Sequence, residues 1–264
     1  MRLKDPFSRR RGGGGGGGRG ARRAGWWLLG LLAVAAPLYF VFRVALTVSP
    51  QTALGAGQEL LAHRKVLAIV GHPDDLEWYV GGTLRRLADN GADVQVVVAT
   101  GGEKGPNRTG VADLPATRRR EQLAAAKING YTRVRFLNLP DRGSAKDPRF
   151  LPAVEAISGE VQPDALLIFD PGQPSLPYLH VDHQGTARAV LGYWNGLGAS
   201  RPPVYLFQTR RPEAAVDISG VIDTKEHALA QHVTQNGGSG AGMRGLFGGK
   251  AVGVRYAEFF RVLR

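Results

Sequence analysis

The sequence predicts an α/β domain on a doubly wound, mostly parallel sheet, preceded by one N-terminal transmembrane helix. Three observations predict this. From residue 65 onward short β-rich runs alternate with segments of helical character, the pattern of parallel strands joined by crossover helices. Several of these runs are nearly continuous in apolar residues, as a sheet covered on both faces demands. Finally, residues 24–42 (AGWWLLGLLAVAAPLYFVF) carry no charge over nineteen positions, which at about 1.5 Å per residue roughly spans a hydrocarbon core of about 30 Å.

Taken in chain order, residues 1–23 hold eight Lys or Arg against Asp5 alone, +7 of the formal +12. With the glycine run at 12–18 this reads as a flexible basic tail, able to rest on anionic headgroups. The remaining charge, about +5, is too mild to indicate nucleic acid as a partner. Trp26, Trp27 and Tyr39 stand near the two ends of the apolar run, and the basic cluster precedes it. The expectation is therefore a single-pass anchor in membrane lipid, with a cytoplasmic N-terminus and an extracytoplasmic domain. A cleavable signal peptide is the competing reading, but the run is long and Pro37 directly after the small-residue VAA disfavours cleavage there. Residues 43–63 are expected to be a linker and 64–264 the catalytic domain. No cysteine is present, which excludes disulfides, thiolate ligands and a cysteine nucleophile.

Within that domain the expected strands are 65–70, 93–100, 133–139, 164–170 and 203–209. The expected helices are 79–89, 117–129 (with Gly130 as its stop), 152–159, 184–194 and 224–235. The glycine-rich stretch 237–249 reads as a surface connection. A Rossmann-like order of this kind gathers functional loops beyond the carboxyl ends of the strands.

Two such loops carry the chemistry. GHPDDLEW (71–78) follows the first strand, where a dinucleotide site would want GxGxxG and two carboxylates would repel a pyrophosphate. YLHVDHQG (178–185) follows the fourth strand and holds two of the six histidines. Zinc accepts imidazole nitrogen and carboxylate oxygen, with three protein ligands and an open position in catalytic sites. His72, Asp75 and His183 would make that set, with Asp74 and His180 beside it. An imidazole pair argues against magnesium or calcium.

The chain here resembles the PIG-L/LmbE-like family of zinc-dependent N-acetylglucosaminyl de-N-acetylases. The likeness is carried by GHPDDLEWYVGGTL (71–84), TGGEKG (100–105), RRREQLAAAKING (118–130), FLNLPD (136–141), YLHVDH (178–183), KEHALAQHVTQ (225–235) and YAEFF (256–260). The resemblance implies one zinc per chain on His72, Asp75 and His183. It makes Asp74 the general base, puts His180 and Tyr178 at the oxyanion, and sets Arg118 and Asp141 against an N-acetylated amino-sugar substrate. Asp182 is expected either to orient a histidine from behind or to cap its helix. Glu77 stands one place later than in the commoner HPDDE form. Lys225 and His232 are assigned to packing or to an oligomer contact, so self-association is left open. A catalytically silent glycan-binding domain and a cytoplasmic deacetylase of a small thiol precursor are the alternatives.

Overall fold

The computed structural model describes residues 45–172 and 181–264. One compact unit runs from Val44 to Arg264. The apolar run 24–42, Tyr178 and His180 lie outside the described residues. Among the described residues no helix is long and apolar enough to cross a membrane.

Seven strands form one sheet in the order β3-β2-β1-β4-β5-β7-β6. They are β1 (Lys65–Val70), β2 (Asp93–Thr100), β3 (Arg133–Leu139), β4 (Ala165–Phe169), β5 (Val204–Phe207), β6 (Ala214–Asp217) and β7 (Ala257–Leu263). The first five are parallel, whereas β7 runs antiparallel to both β5 and β6. Five residues of β1 and all of β4 are buried, which is why both read as unbroken apolar runs. Their alignment, Val66 opposite Ala165 and Ala68 opposite Leu167, brings the two carboxyl ends side by side. The chain winds outward from β1 to β3 and then returns to β4 on the other flank of β1, so the order reverses between β1 and β4.

The helices are α1 (Pro50–Ala62), α2 (Asp75–Tyr79), α3 (Gly81–Asp89), α4 (Leu114–Asn129), α5 (Phe150–Val161), α6 (Val181–Gly196), α7 (Ile222–Ala230) and α8 (Val233–Asn236). Gly130 ends α4 in the left-handed region at φ 76°, as its position implied.

The expected linker 43–63 is in fact largely helical. Ser49 caps α1 by accepting the Thr52 N–H at 3.1 Å, and Pro50 begins it. The buried stripe of α1 includes Ala53 and Gly57, residues too small to show as an apolar face. A Cβ at Gly57 would stand 1.9 Å from the Ala215 carbonyl oxygen, so α1 lies directly on the backbone of β6. The expected helix 79–89 is two helices, broken at Val80. Gly82 has no room for a side chain beside Ile218, and its N–H with that of Thr83 is taken by the Glu258 carboxylate at 3.0 and 2.7 Å. The expected helix 224–235 is broken at His232, whose side chain turns inward to Glu77. The stretch 237–249 is not a bare surface connection, since it contains a 3-10 turn, Met243–Phe247, with Met243 buried.

Candidate active site

In open α/β sheets ligands bind in the crevice where the strand order reverses, and both histidine loops end there. At the end of β1 the Gly71 carbonyl accepts the N–H and the hydroxyl of Thr100, at 2.9 and 3.0 Å, which ties it to β2. His72, Pro73 and Asp74 then turn the chain into α2. His183 comes from the first turn of α6, after β4.

His72, Asp75 and His183 are buried to 8%, 4% and 2% exposure, and they converge. His183 Nε2 lies 2.9 Å from Asp75 Oδ1 and 3.3 Å from His72 Nδ1. Asp75 Oδ2 accepts the His72 backbone N–H at 2.8 Å and stands 3.5 Å from His72 Nδ1. One ligand atom from each residue falls within 4.8 Å of the others, so two imidazoles and a carboxylate form a group able to hold a metal ion. The His183 ring is fixed from outside by Phe169, stacked at 4.0 Å, and by Tyr79 edge-on at 6.3 Å.

Burial alone would lower the His72 imidazole, but Asp75, Asp141 and Asp182 around it outweigh burial and hold its pKa well above the ordinary value. Burial would likewise raise Asp75, and His183 and His72 reverse the effect, leaving it well below the ordinary value. Asp74 is different: burial raises its pKa, and Arg118 offsets only part of that. Two adjacent aspartates thus receive opposite biases, one toward a permanent anion and the other toward a group that exchanges protons.

Asp74 holds a left-handed backbone conformation (φ 96°, ψ −23°). Arg118, expected to meet substrate, is 3% exposed and turned to this loop. Its guanidinium donates to Asp74 Oδ1 at 3.1 Å, to the Pro73 carbonyl at 2.5 Å and to the Gly102 carbonyl at 2.9 Å. Asp141, also expected against substrate, lies with Oδ1 3.2 Å from His72 Nε2, while Oδ2 accepts the Lys104 N–H at 2.9 Å. The ring of His72 is thereby oriented from behind, the role the sequence suggested for Asp182. Asp182 approaches His72 Nε2 only to 3.6 Å. Its carboxylate also accepts the Arg142 N–H and the Ser144 N–H and hydroxyl, at 2.5, 3.1 and 2.7 Å. It therefore pins the turn after β3, and its carboxylate caps that turn.

His72, Asp74, Arg118, Asp141 and Asp182 line a cleft of about 640 Å³ together with Lys104, Arg142 and Gln235. Sequence reasoning left Lys104 and Gln235 without a role, although TGGEKG was in view as a motif. It also missed a buried cluster behind Asp74 built from Glu77, Gln122, Asn129, Tyr131 and His232. The available signal was spacing: Arg118, Gln122 and Asn129 share the buried face of α4.

Residues 67–194 match the family model described as PIG-L: GlcNAc-PI de-N-acetylase. A Bacillus cereus protein named "Probable N-acetyl-alpha-D-glucosaminyl L-malate deacetylase 2" is 30% identical over 188 residues, 65% of this chain and 84% of the relative. The diacetylchitobiose deacetylase of Thermococcus kodakarensis is 30% identical over 190 residues, 65% of this chain and 70% of the relative. Among solved structures, N,N'-diacetylchitobiose deacetylase from Pyrococcus horikoshii, complexed with its inhibitor MPG, superposes with a TM-score of 0.70 at 25% identity, covering 87% of this chain and 92% of that one. The chain therefore belongs to the PIG-L family of de-N-acetylases, hydrolases of the amide bond, and its group able to hold a metal ion lies within the residues that match the family.

Proposed function

We propose that the protein removes the N-acetyl group from an N-acetylglucosaminyl-type glycan, glycolipid or glycoside, using one zinc ion held by His72, Asp75 and His183. The observation that carries this reading is the convergence of those three donors beside a differently biased aspartate, Asp74, which lines the cleft together with His72. Zinc, when bound, supplies a Lewis acid and brings the pKa of its water down to about 7.

The protein's own groups do the rest. Asp141 fixes His72 so that Nδ1 faces His183 and Asp75. Asp74, oriented by Arg118, takes a proton from the attacking water and returns one to the departing nitrogen as the amide C–N bond breaks, giving acetate and an amine. His180 and Tyr178 are assigned to donate hydrogen bonds to the oxyanion. The domain is proposed to act outside the cytoplasm, tethered by residues 24–42, and that reading is supported by the uncharged run and its basic N-terminal flank.

The test is zinc content and acetate release from N-acetylglucosaminyl compounds, compared for wild type, Asp74→Asn and His183→Ala. Asp74→Asn should keep its zinc and lose turnover by about 10²–10⁴-fold, and His183→Ala should lose the metal. Full turnover in Asp74→Asn would remove Asp74 from the mechanism. A reporter fused after Arg264 should be active only outside the cytoplasm, and a silent one would reverse the orientation.

A further inference from the structure

Asp74 is one of five non-glycine residues with positive φ among the described residues. Such a conformation persists only where the surroundings hold it. The backbone of Asp74 is held at both ends: its carbonyl accepts the Trp78 N–H at 3.0 Å in the first turn of α2, and its N–H donates to a side chain, Gln122 Oε1, at 3.0 Å. Arg118 one turn earlier on α4 holds the side chain, so backbone and carboxylate have separate supports.

The orientation of the Gln122 amide is itself decided elsewhere. Its NH2 donates to both oxygens of Glu77, at 3.2 and 3.2 Å. Glu77 also accepts from the Tyr131 hydroxyl at 2.9 Å and the Asn129 amide at 3.3 Å, and His232 Nε2 lies 3.1 Å from its other oxygen. Glu77, Asn129 and His232 are all 0% exposed, and Gln122 is 1% exposed. A carboxylate can only accept, so Gln122 must turn its NH2 toward Glu77 and its carbonyl toward Asp74. Any other arrangement would leave buried polar groups unpaired, which is costly.

We infer that Gln122, keyed by Glu77 and His232, is a positioning residue that holds Asp74 in its left-handed conformation and so aims the carboxylate at the reacting water. This rests on the reading of Asp74 as the base. It also gives Gln122 and His232 a task that neither a core contact nor an oligomer contact would require.

The experiment uses the full chain with N,N'-diacetylchitobiose as the probe substrate. Three variants are compared with wild type for kcat, KM, zinc per chain, thermal stability and crystal structure: Gln122→Leu, Gln122→Glu and the exchange Gln122→Glu/Glu77→Gln. Positioning predicts that Gln122→Leu keeps its zinc and KM within about twofold, loses kcat by about 100-fold, and lets Asp74 leave positive φ. Gln122→Glu sets two carboxylates against each other and should lose more activity. The exchange restores an amide–carboxylate pair, and His232 can follow because its Nδ1 has no other partner, so at least a third of kcat should return. If Gln122→Leu fails to fold, the exchange decides the matter, and no recovery over Gln122→Glu overturns the inference. So does Gln122→Leu with φ at Asp74 unchanged and kcat within about twofold of wild type. A wild type that releases no acetate would instead remove the proposed function, and the φ of Asp74 in Gln122→Leu would still decide the positioning.

Discussion

His72 governs the proton balance of the site, because one nitrogen faces the metal-binding group and the other faces Asp141. Its pKa is raised, so near neutrality a metal arriving at Nδ1 must displace a proton. The sign follows: metal affinity increases as pH rises toward that pKa. Titration calorimetry of the metal-free protein with zinc, at about pH 6 and about pH 8, should show tighter binding at the higher pH, with proton release where the imidazole is charged. Asp141→Asn should cost about 10–100-fold in zinc affinity, and an unchanged affinity would deny Asp141 its orienting role. Without metal, the raised His72 stabilises the fold fully below about pH 6.5, and this is lost as pH rises through its folded pKa. The depressed Asp75, Asp141 and Asp182 stabilise above about pH 4, and this is lost as pH falls through their folded values. The metal-free protein should therefore melt highest between those limits. The pairing of His72 with Asp141 was not legible in the sequence, because it depends on β1 and β3 ends meeting across β2, and strand order is not written in spacing.

At the scale of the element, β1, β4 and β5 were legible because burial on both faces leaves nearly unbroken apolar runs, whereas the edge strand β3 alternates arginine with apolar residues. The short β6 and the alternating β7 were not legible, the latter because its partly buried positions interrupt the run. YAEFF was visible as a motif, but what it does appears only in three dimensions. From β7, Glu258 reaches under the start of α3, accepts the Gly82 and Thr83 N–H groups, and pairs with Lys225 Nζ at 2.7 Å. Both side chains are 0% exposed, and burial lowers the Lys225 pKa despite Glu258. Glu258→Ala would take the counter-charge from that ammonium, which keeps the Trp78 carbonyl at 3.0 Å, and the acceptor from two helix N–H groups, so urea denaturation should show a loss of about 3–5 kcal/mol. A loss below about 1 kcal/mol would mean that water reaches Lys225.

For the whole molecule, the two edges of the sheet are protected by different means. Edge strand β3 carries Arg133 and Arg135, both paired with Glu160, and charge on an edge discourages pairing with another chain. Edge strand β6 is apolar and relies on α1, with Ala53 and Ala215 in one buried cluster. The boundary the sequence suggested, residue 64, would remove that cover. A chain of residues 64–264 should therefore self-associate on size-exclusion chromatography, whereas residues 44–264 should not. Equal behaviour would mean that β6 needs no cover.

The place of β7 has a consequence in time. It lies between β5 and β6, although both are synthesised before it. On the ribosome, at about 5–20 residues per second, β1 to β5 and their helices emerge first, and the two histidine loops with them. Until Ala257–Leu263 has emerged, β6 with α1 on it has no strand joining it to the sheet, and α3 lacks the carboxylate beneath its first turn. A nascent chain arrested before Ala257 would thus hold its metal-binding side chains on an unfinished sheet, and would be most exposed to proteolysis at β6.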